Sequence, residues 1–188
     1  MRDERPTFTI RPATADDVPA TQAMMIRIFE MDFGYGYKPE FHSDVSAMES
    51  VYIDNSRHLL LVAIDDASGA IAATAGVRSG GLKPEFNHAW LVARYDPERT
   101  AQLVRVYVAR EYRRHGLARR LVDETVRFVA ETAGYDTLCL HTDPRSPGAE
   151  AFWTAMPTRL ILDDRDGPSE SLHFEMDIPG RDRRDEEG

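Results

Sequence analysis

The stretch YRRHGLARRL, residues 112–121, gathers four arginines and a histidine around one glycine in a chain whose formal net charge is −9. From Arg105 to Arg120 there are six arginines and a single acid, Glu111. Even spacing of 23 cations over 188 residues would put roughly two in such a window, so the clustering has the form of an anion-binding footprint. Its glycine falls where a predicted strand ending at Val108 gives way to a predicted helix beginning near Gly116. A helix start presents backbone N–H groups without intrahelical partners and the positive end of the macrodipole. Gly116 lets the backbone come close to a ligand, Ala118 adds almost no bulk, and Arg113, Arg114 and Arg119 supply charge and planar donors. The chemistry is that of holding a phosphate. A solvated basic helix face is the alternative, and because Lys38 and Lys83 are the only lysines, arginine is this chain's ordinary cation wherever it stands.

Acid–base candidates lie elsewhere. His141 and Asp143 close the predicted strand TLCLHTD, and Glu30, Asp32, His42 and Asp44 lie in or beside an aromatic segment. For each histidine a hydrogen-bonded or surface structural role is the competing reading. The segment FGYGYKPEFH concentrates Phe33, Tyr35, Tyr37, Phe41 and His42 on a glycine-interrupted loop. That composition suits a pocket wall able to hold a small amine by cation–π contact, or a loop folded over the core. Arg105, alone on an apolar strand, either binds an acidic acceptor or points to solvent. The phosphate motif GxxxxGK[ST] is absent and no GxGxxG follows a predicted strand, which disfavours a kinase, a GTPase or a Rossmann dehydrogenase.

These groups have to be held by a regular frame. FTIRP (8–12) reads as a strand, and TADDVPATQAMMIRIF as a helix capped by Thr14 or Asp16. A second helix is expected over about 43–53. HLLLVAIDD and AIAATAGVRS form a hairpin around a turn at Asp66 to Gly69, and the strand signal continues through residues 88–109. The near-continuous apolar run Leu103, Val104, Val106, Tyr107, Val108 predicts a strand buried on both faces. Residues 116–133 follow as a helix with a wide apolar face closed by Gly134, then TLCLHTD as a strand and PGAEAFWTAM as a short helix opened by Pro147. RLILDD and SLHFEMDI are expected to pair antiparallel. The order β, α, α, β, β, β, α, β, α, β, β implies one mixed α/β sheet with helices on its faces.

Composition limits the rest. One domain over 8–178 is the expectation for 188 residues with 42% hydrophobic content, with a charged tail from Pro179 expected to be disordered. A lone Cys139 allows no internal disulfide, and with no apolar leader or spanning run the cytoplasm is the expected compartment, with no membrane partner. An acidic chain is repelled by phosphate backbones, so no nucleic acid is expected, and no metal is called for.

The hexamer Arg113-Arg114-His115-Gly116-Leu117-Ala118 fits the pattern [R/Q]-x-x-G-x-[G/A] directly after the strand RVYV, and it resembles the acetyl-coenzyme A loop of the GNAT superfamily of N-acetyltransferases. IRPATADDVPA resembles the usual opening of that family, and HTDPRSPGAEAFW the strand, loop and helix that follow its coenzyme helix. The resemblance covers about residues 8–178, with its specific part at about 102–156. It implies a single domain with a central, mostly antiparallel mixed sheet, two splayed parallel central strands and helices on both faces. Backbone groups of Val106, Tyr107 and Val108 would bond the pantetheine arm in the gap, and amides from Arg113 to Arg119, through Leu117 and Ala118, would hold the pyrophosphate. Acetyl-CoA would be the co-substrate, a primary amine of a small molecule or peptide the acceptor attacking in a ternary complex, and a homodimer the family-level assembly. The aromatic segment, with Phe33, Tyr35, Tyr37, His42 and Arg105, would wall the acceptor site. The family often uses a tyrosine as general acid where this sequence has Trp153, and a glutamate near the place of Gln102. The catalytic groups are therefore open among His141, Asp143 and Glu30, and a non-catalytic acyl-CoA-binding or regulatory domain is the competing reading.

Overall fold

Runs of Val, Ile, Leu and Ala become strands, and the amphipathic stretches between them become helices. The computed structural model describes residues 6–181, in the order β1 (Phe8–Pro12), α1 (Val18–Met31), α2 (Pro39–Ser46), β2 (Leu59–Asp65), β3 (Ile71–Ser79), α3 (Ala89–Arg94), β4 (Thr100–Val108), α4 (Leu117–Glu131), β5 (Thr137–Thr142), α5 (Ala149–Thr154), β6 (Thr158–Asp163) and β7 (Leu172–Met176). The strand order β1-β2-β3-β4-β5-β7-β6 makes a seven-stranded mixed sheet. Its β4–β5 pair is parallel, whereas β1–β2, β2–β3, β5–β7 and β6–β7 are antiparallel. The mixed α/β class expected from the sequence is the one observed. The tail expected to be disordered lies, from residue 182 onward, outside the described residues.

Two expectations give way. Residues 89–94 are helix rather than strand, because Leu91 and Tyr95, four apart, are buried while Trp90, the residue before Leu91, is about half exposed. The helix expected over 43–53 begins at Pro39, whose fixed φ suits a first helical position. It bends at His42 (φ −124°), ends at Ser46, and a separate wide turn occupies Glu49–Ile53.

The chain forms two compact units, one built from the residues up to Arg78 with Arg105–Thr125, the other from Ser79–Val104 with the residues from Val126 onward. In the first, β1 pairs with β2 from Phe8↔Asp65 to Pro12↔Leu61, and β2 with β3 from Leu59↔Val77. Alanines of β2 and β3 decide what packs there. Ala63, Ala72, Ala73 and Ala75 are fully buried in a cluster with Leu61, Leu117 and Leu121, so short side chains let the start of α4 lie close against the strands. Burying Leu117 and Leu121 contributes about 1.5–3 kcal/mol each, which fixes where that helix begins.

In the second unit β7 lies between β5 and β6, with Leu138↔Met176 to Thr142↔Leu172 on one side and Thr158↔Met176 to Asp163↔Leu172 on the other. The parallel register covers Thr100↔Thr137, Ala101↔Leu138 and Gln102↔Cys139. Leu82, Leu91, Tyr95 and Cys139 form its apolar cluster. Glu175 is held between Arg94 (2.7 Å) and Arg159 (2.7 Å). The strand β4 is buried from Thr100 to Leu103 and half-buried from Val104 to Val108, so burial on both faces holds for its first part only.

Candidate active site

After β4 the chain makes a short turn, Arg110–Tyr112, and reaches α4 through two left-handed residues, Arg114 (φ 68°) and Gly116 (φ 73°). Phe8 braces this loop, with its ring 5.8 Å from that of Tyr112 and 5.6 Å from that of His115. Ala109 N–H donates to Ala72 O (3.0 Å), and the Arg113 Nε donates to Val108 O (3.2 Å). Arg120 N–H donates to Gly116 O at 3.2 Å, so the amides of Leu117, Ala118 and Arg119 lie in the first turn of α4, where a helix directs its N–H groups to acceptors outside it. A side chain built on Gly116 would meet no atom within 4 Å. The glycine is required by its φ and leaves open space before the helix start, as a pyrophosphate cradle needs.

The arginines divide into two groups. Asp32, directly after α1 and 7% exposed, accepts from both Arg110 and Arg113, and Arg110 also donates to Met31 O (2.5 Å). Arg105 neither points to solvent nor presents itself to an acceptor: its side chain is 11% exposed and paired with Asp44, itself 4% exposed. Nε donates to Asp44 Oδ2 at 2.9 Å, one terminal nitrogen to Oδ1 at 2.5 Å and to Phe41 O at 2.7 Å, and the other to the Tyr107 hydroxyl at 3.3 Å. Tyr52 donates to Asp44 Oδ2 at 2.5 Å. Burial pushes the Asp44 carboxyl up, but Arg105 and Tyr52 outweigh it and hold the group at about 2. Arg114, His115 and Arg119 are exposed. The sequence missed Asp32 and Asp44 as partners because each lies more than sixty residues from its arginine. Their only local signal is an acid at the end of α1 and an acid next to Val45 in α2.

The aromatic segment is partly folded inward. His42 is 3% exposed and stacks on Phe29 at 4.0 Å, and its Nδ1 accepts the Lys38 amide at 3.0 Å. Burial lowers its pKa and the Arg105 charge adds to this, so it is a neutral ring in a structural place. Phe33 and Tyr35 are half-buried, with Phe33 5.9 Å from Tyr107, while Tyr37 and Phe41 are exposed. Lys38 Nζ lies 4.8 Å over the Tyr35 ring. The segment is divided between rings folded over the core and rings left exposed.

The remaining candidates divide between the units. Glu30 is exposed on α1. His141, exposed near the end of β5, faces the buried His173 across the strands with ring centroids 5.9 Å apart. Asp143 accepts the Arg145 amide (2.8 Å) and Nε (2.9 Å). Trp153 is 6% exposed and packs edge-on against Phe152, and Gln102, 4% exposed, donates to Gly81 O at 2.8 Å. Both have structural places. Among the described residues no cluster of His, Cys, Asp and Glu is arranged to hold a metal, and no helix is long and apolar enough to cross a membrane.

A strand, a left-handed glycine and a helix start in this geometry suit an anion, and comparison with known proteins gives the class. The family model described as Acetyltransferase (GNAT) family matches residues 23–156, and the chain belongs to that family and is an acyltransferase. Its fold is similar to that of a GNAT-family acetyltransferase from Staphylococcus aureus Mu50, with TM-score 0.71 and 16% identity over 92% of this chain and 99% of that one. It is also similar to NAA60 of Arabidopsis thaliana in complex with acetyl-CoA, with TM-score 0.64 and 18% identity over 93% and 100%. A third likeness is to the GNAT family N-acetyltransferase YhbS from Escherichia coli in complex with CoA, with TM-score 0.62 and 18% identity over 96% and 89%. No curated protein matches in sequence.

Proposed function

We propose that this protein, with residues 8–178 working as one domain, transfers an acetyl group from acetyl-CoA to a primary amine of a small molecule or peptide by direct attack in a ternary complex. The observation that carries the reading is the junction at Gly116, where a left-handed glycine and open space precede the first turn of α4. Amides from Arg113 to Arg119 hold the pyrophosphate, with Arg114 and Arg119 as the exposed cations beside it. Backbone groups of Val106, Tyr107 and Val108 bind the pantetheine arm, and the Val108 N–H polarises the carbonyl under attack. Acetyl-CoA supplies an activated thioester, and acetyl transfer follows once a neutral amine is held against it.

The base is one of Glu30, His141 and Asp143 in this reading. An alkylammonium loses its proton only above about pH 10 in water, so a neighbouring acceptor is needed at neutral pH. Glu30 and His141 are exposed, and Asp143 accepts the Arg145 amide and Nε. Exposed Tyr37 and half-buried Phe33 and Tyr35 form the acceptor wall, which suits an amine carrying apolar or cationic surface.

Isothermal titration tests the coenzyme site. Acetyl-CoA is expected to bind the wild-type protein, and Gly116→Trp to abolish binding while the circular dichroism spectrum is kept; unchanged affinity would place the coenzyme elsewhere. Release of CoA against an amine panel then identifies the acceptor.

A further inference from the structure

Among the described residues three without glycine's freedom have a left-handed backbone: Arg105 (φ 55°), Arg114 and Glu170. Arg114 and Glu170 lie in loops, where such conformations are common. Arg105 lies inside β4, five residues into a nine-residue strand. A left-handed backbone is costly for any residue with a Cβ, and arginine has no short polar side chain to bond its own backbone there. The surroundings must therefore impose it.

What imposes it is a buried clamp. The guanidinium spends four hydrogen bonds on Asp44, Phe41 O and the Tyr107 hydroxyl. Fully buried Thr74 donates to the Arg105 carbonyl at 2.8 Å, and Asp44 is itself fixed by Tyr52, 3% exposed. A buried ion pair is a poor device for stability alone, since apolar residues of similar volume do as well. This chain carries both a buried pair and a strained backbone on the one strand whose main chain is assigned to the coenzyme.

We propose that Asp44 is a positioning residue for the coenzyme strand: through its two-pronged pair with Arg105 it holds β4 in a left-handed turn, and so directs the backbone groups of Val106, Tyr107 and Val108 toward the pantetheine arm. The inference rests on the coenzyme reading above. Side chains at 106 and 108 pack with the Leu117 and Leu121 cluster while Tyr107 packs against Phe29 and Phe33. A turn lost at 105 would therefore misdirect three consecutive residues.

The test is a rescue. Asp44→Asn keeps the size of the side chain and a partner for Tyr52 but weakens the clamp, and it is expected to reduce acetyl-CoA affinity at least tenfold. Adding Arg105→Gly, which tolerates φ 55° unaided, is expected to restore affinity to within threefold of wild type. Adding Arg105→Val, which cannot hold that backbone, is expected not to. Relief of the unpaired buried guanidinium alone would rescue the Gly and Val variants equally, so the difference between them reports the backbone at residue 105. Both double variants lack the ion pair, so they are compared with each other even if Asp44→Asn alone folds poorly. Wild-type affinity in Asp44→Asn, or equal affinities for the Gly and Val variants, overturns the proposal. Backbone NMR shifts at residue 105 provide a coenzyme-free readout: a left-handed conformation kept in the Val variant overturns the clamp. A wild-type protein that binds no acetyl-CoA overturns the coenzyme reading instead.

Discussion

At the scale of single residues, half of the six arginines that drew notice in the sequence are engaged by acids of the chain itself. Arg105, Arg110 and Arg113 are paired with Asp44 and Asp32, and Arg114 and Arg119 are exposed at the helix start. Gly116 survives as the sharper signal, because a φ of 73° and an open front are requirements that few residues meet. The three base candidates carry the chemical prediction. Among Glu30→Gln, His141→Asn and Asp143→Asn, one is expected to lower kcat by about a hundredfold with acetyl-CoA affinity unchanged. Steady-state kinetics beside titration of acetyl-CoA binding checks both.

At the scale of elements, short polar anchors hold the strands and turns. Asp17 receives the Thr14 amide (2.8 Å), the Thr14 hydroxyl (2.9 Å) and the Arg11 guanidinium (2.6 Å), so the entry to α1 is fixed to β1. The turn from β6 to β7 is fixed by Asp164, which is 6% exposed and accepts from Ser169 N–H (2.9 Å) and Oγ (2.6 Å) and from His88 (2.9 Å). Gly167 is there because a Cβ would lie 1.8 Å from Asp164 Oδ1. Gly167→Ala is expected to displace that carboxylate and cost about 1–3 kcal/mol, read as a lowered thermal midpoint. The error over residues 89–94 belongs to this scale too. Val, Leu, Trp and Tyr raise the strand signal, but the burial of Leu91 and Tyr95 four apart follows a helical period that one short turn cannot display.

At the scale of the whole molecule, buried titrating groups set the pH range of stability. Burial lowers the pKa of His42, His58 and His173, so the unfolded chain takes up protons that these rings refuse. Their contribution is complete above about pH 6.5 and declines as pH falls below it. Asp44 and Asp17, both held at about 2, add a second loss as pH falls from about 4 toward 2. Denaturant melts between pH 8 and 3 are expected to show the first decline beginning near neutrality and the second steepening below pH 4. The sequence by itself determined the order of most elements, the α/β class and the glycine at the strand-to-helix junction. These follow from hydrophobic period, turn residues and φ preference, all of which act within a few neighbours along the chain. Only the tertiary structure decided which arginines are already satisfied, that His42 is a buried neutral ring, and that β4 turns left-handed at Arg105. Those outcomes depend on acids and carbonyls tens of residues distant that packing alone brings within hydrogen-bond reach.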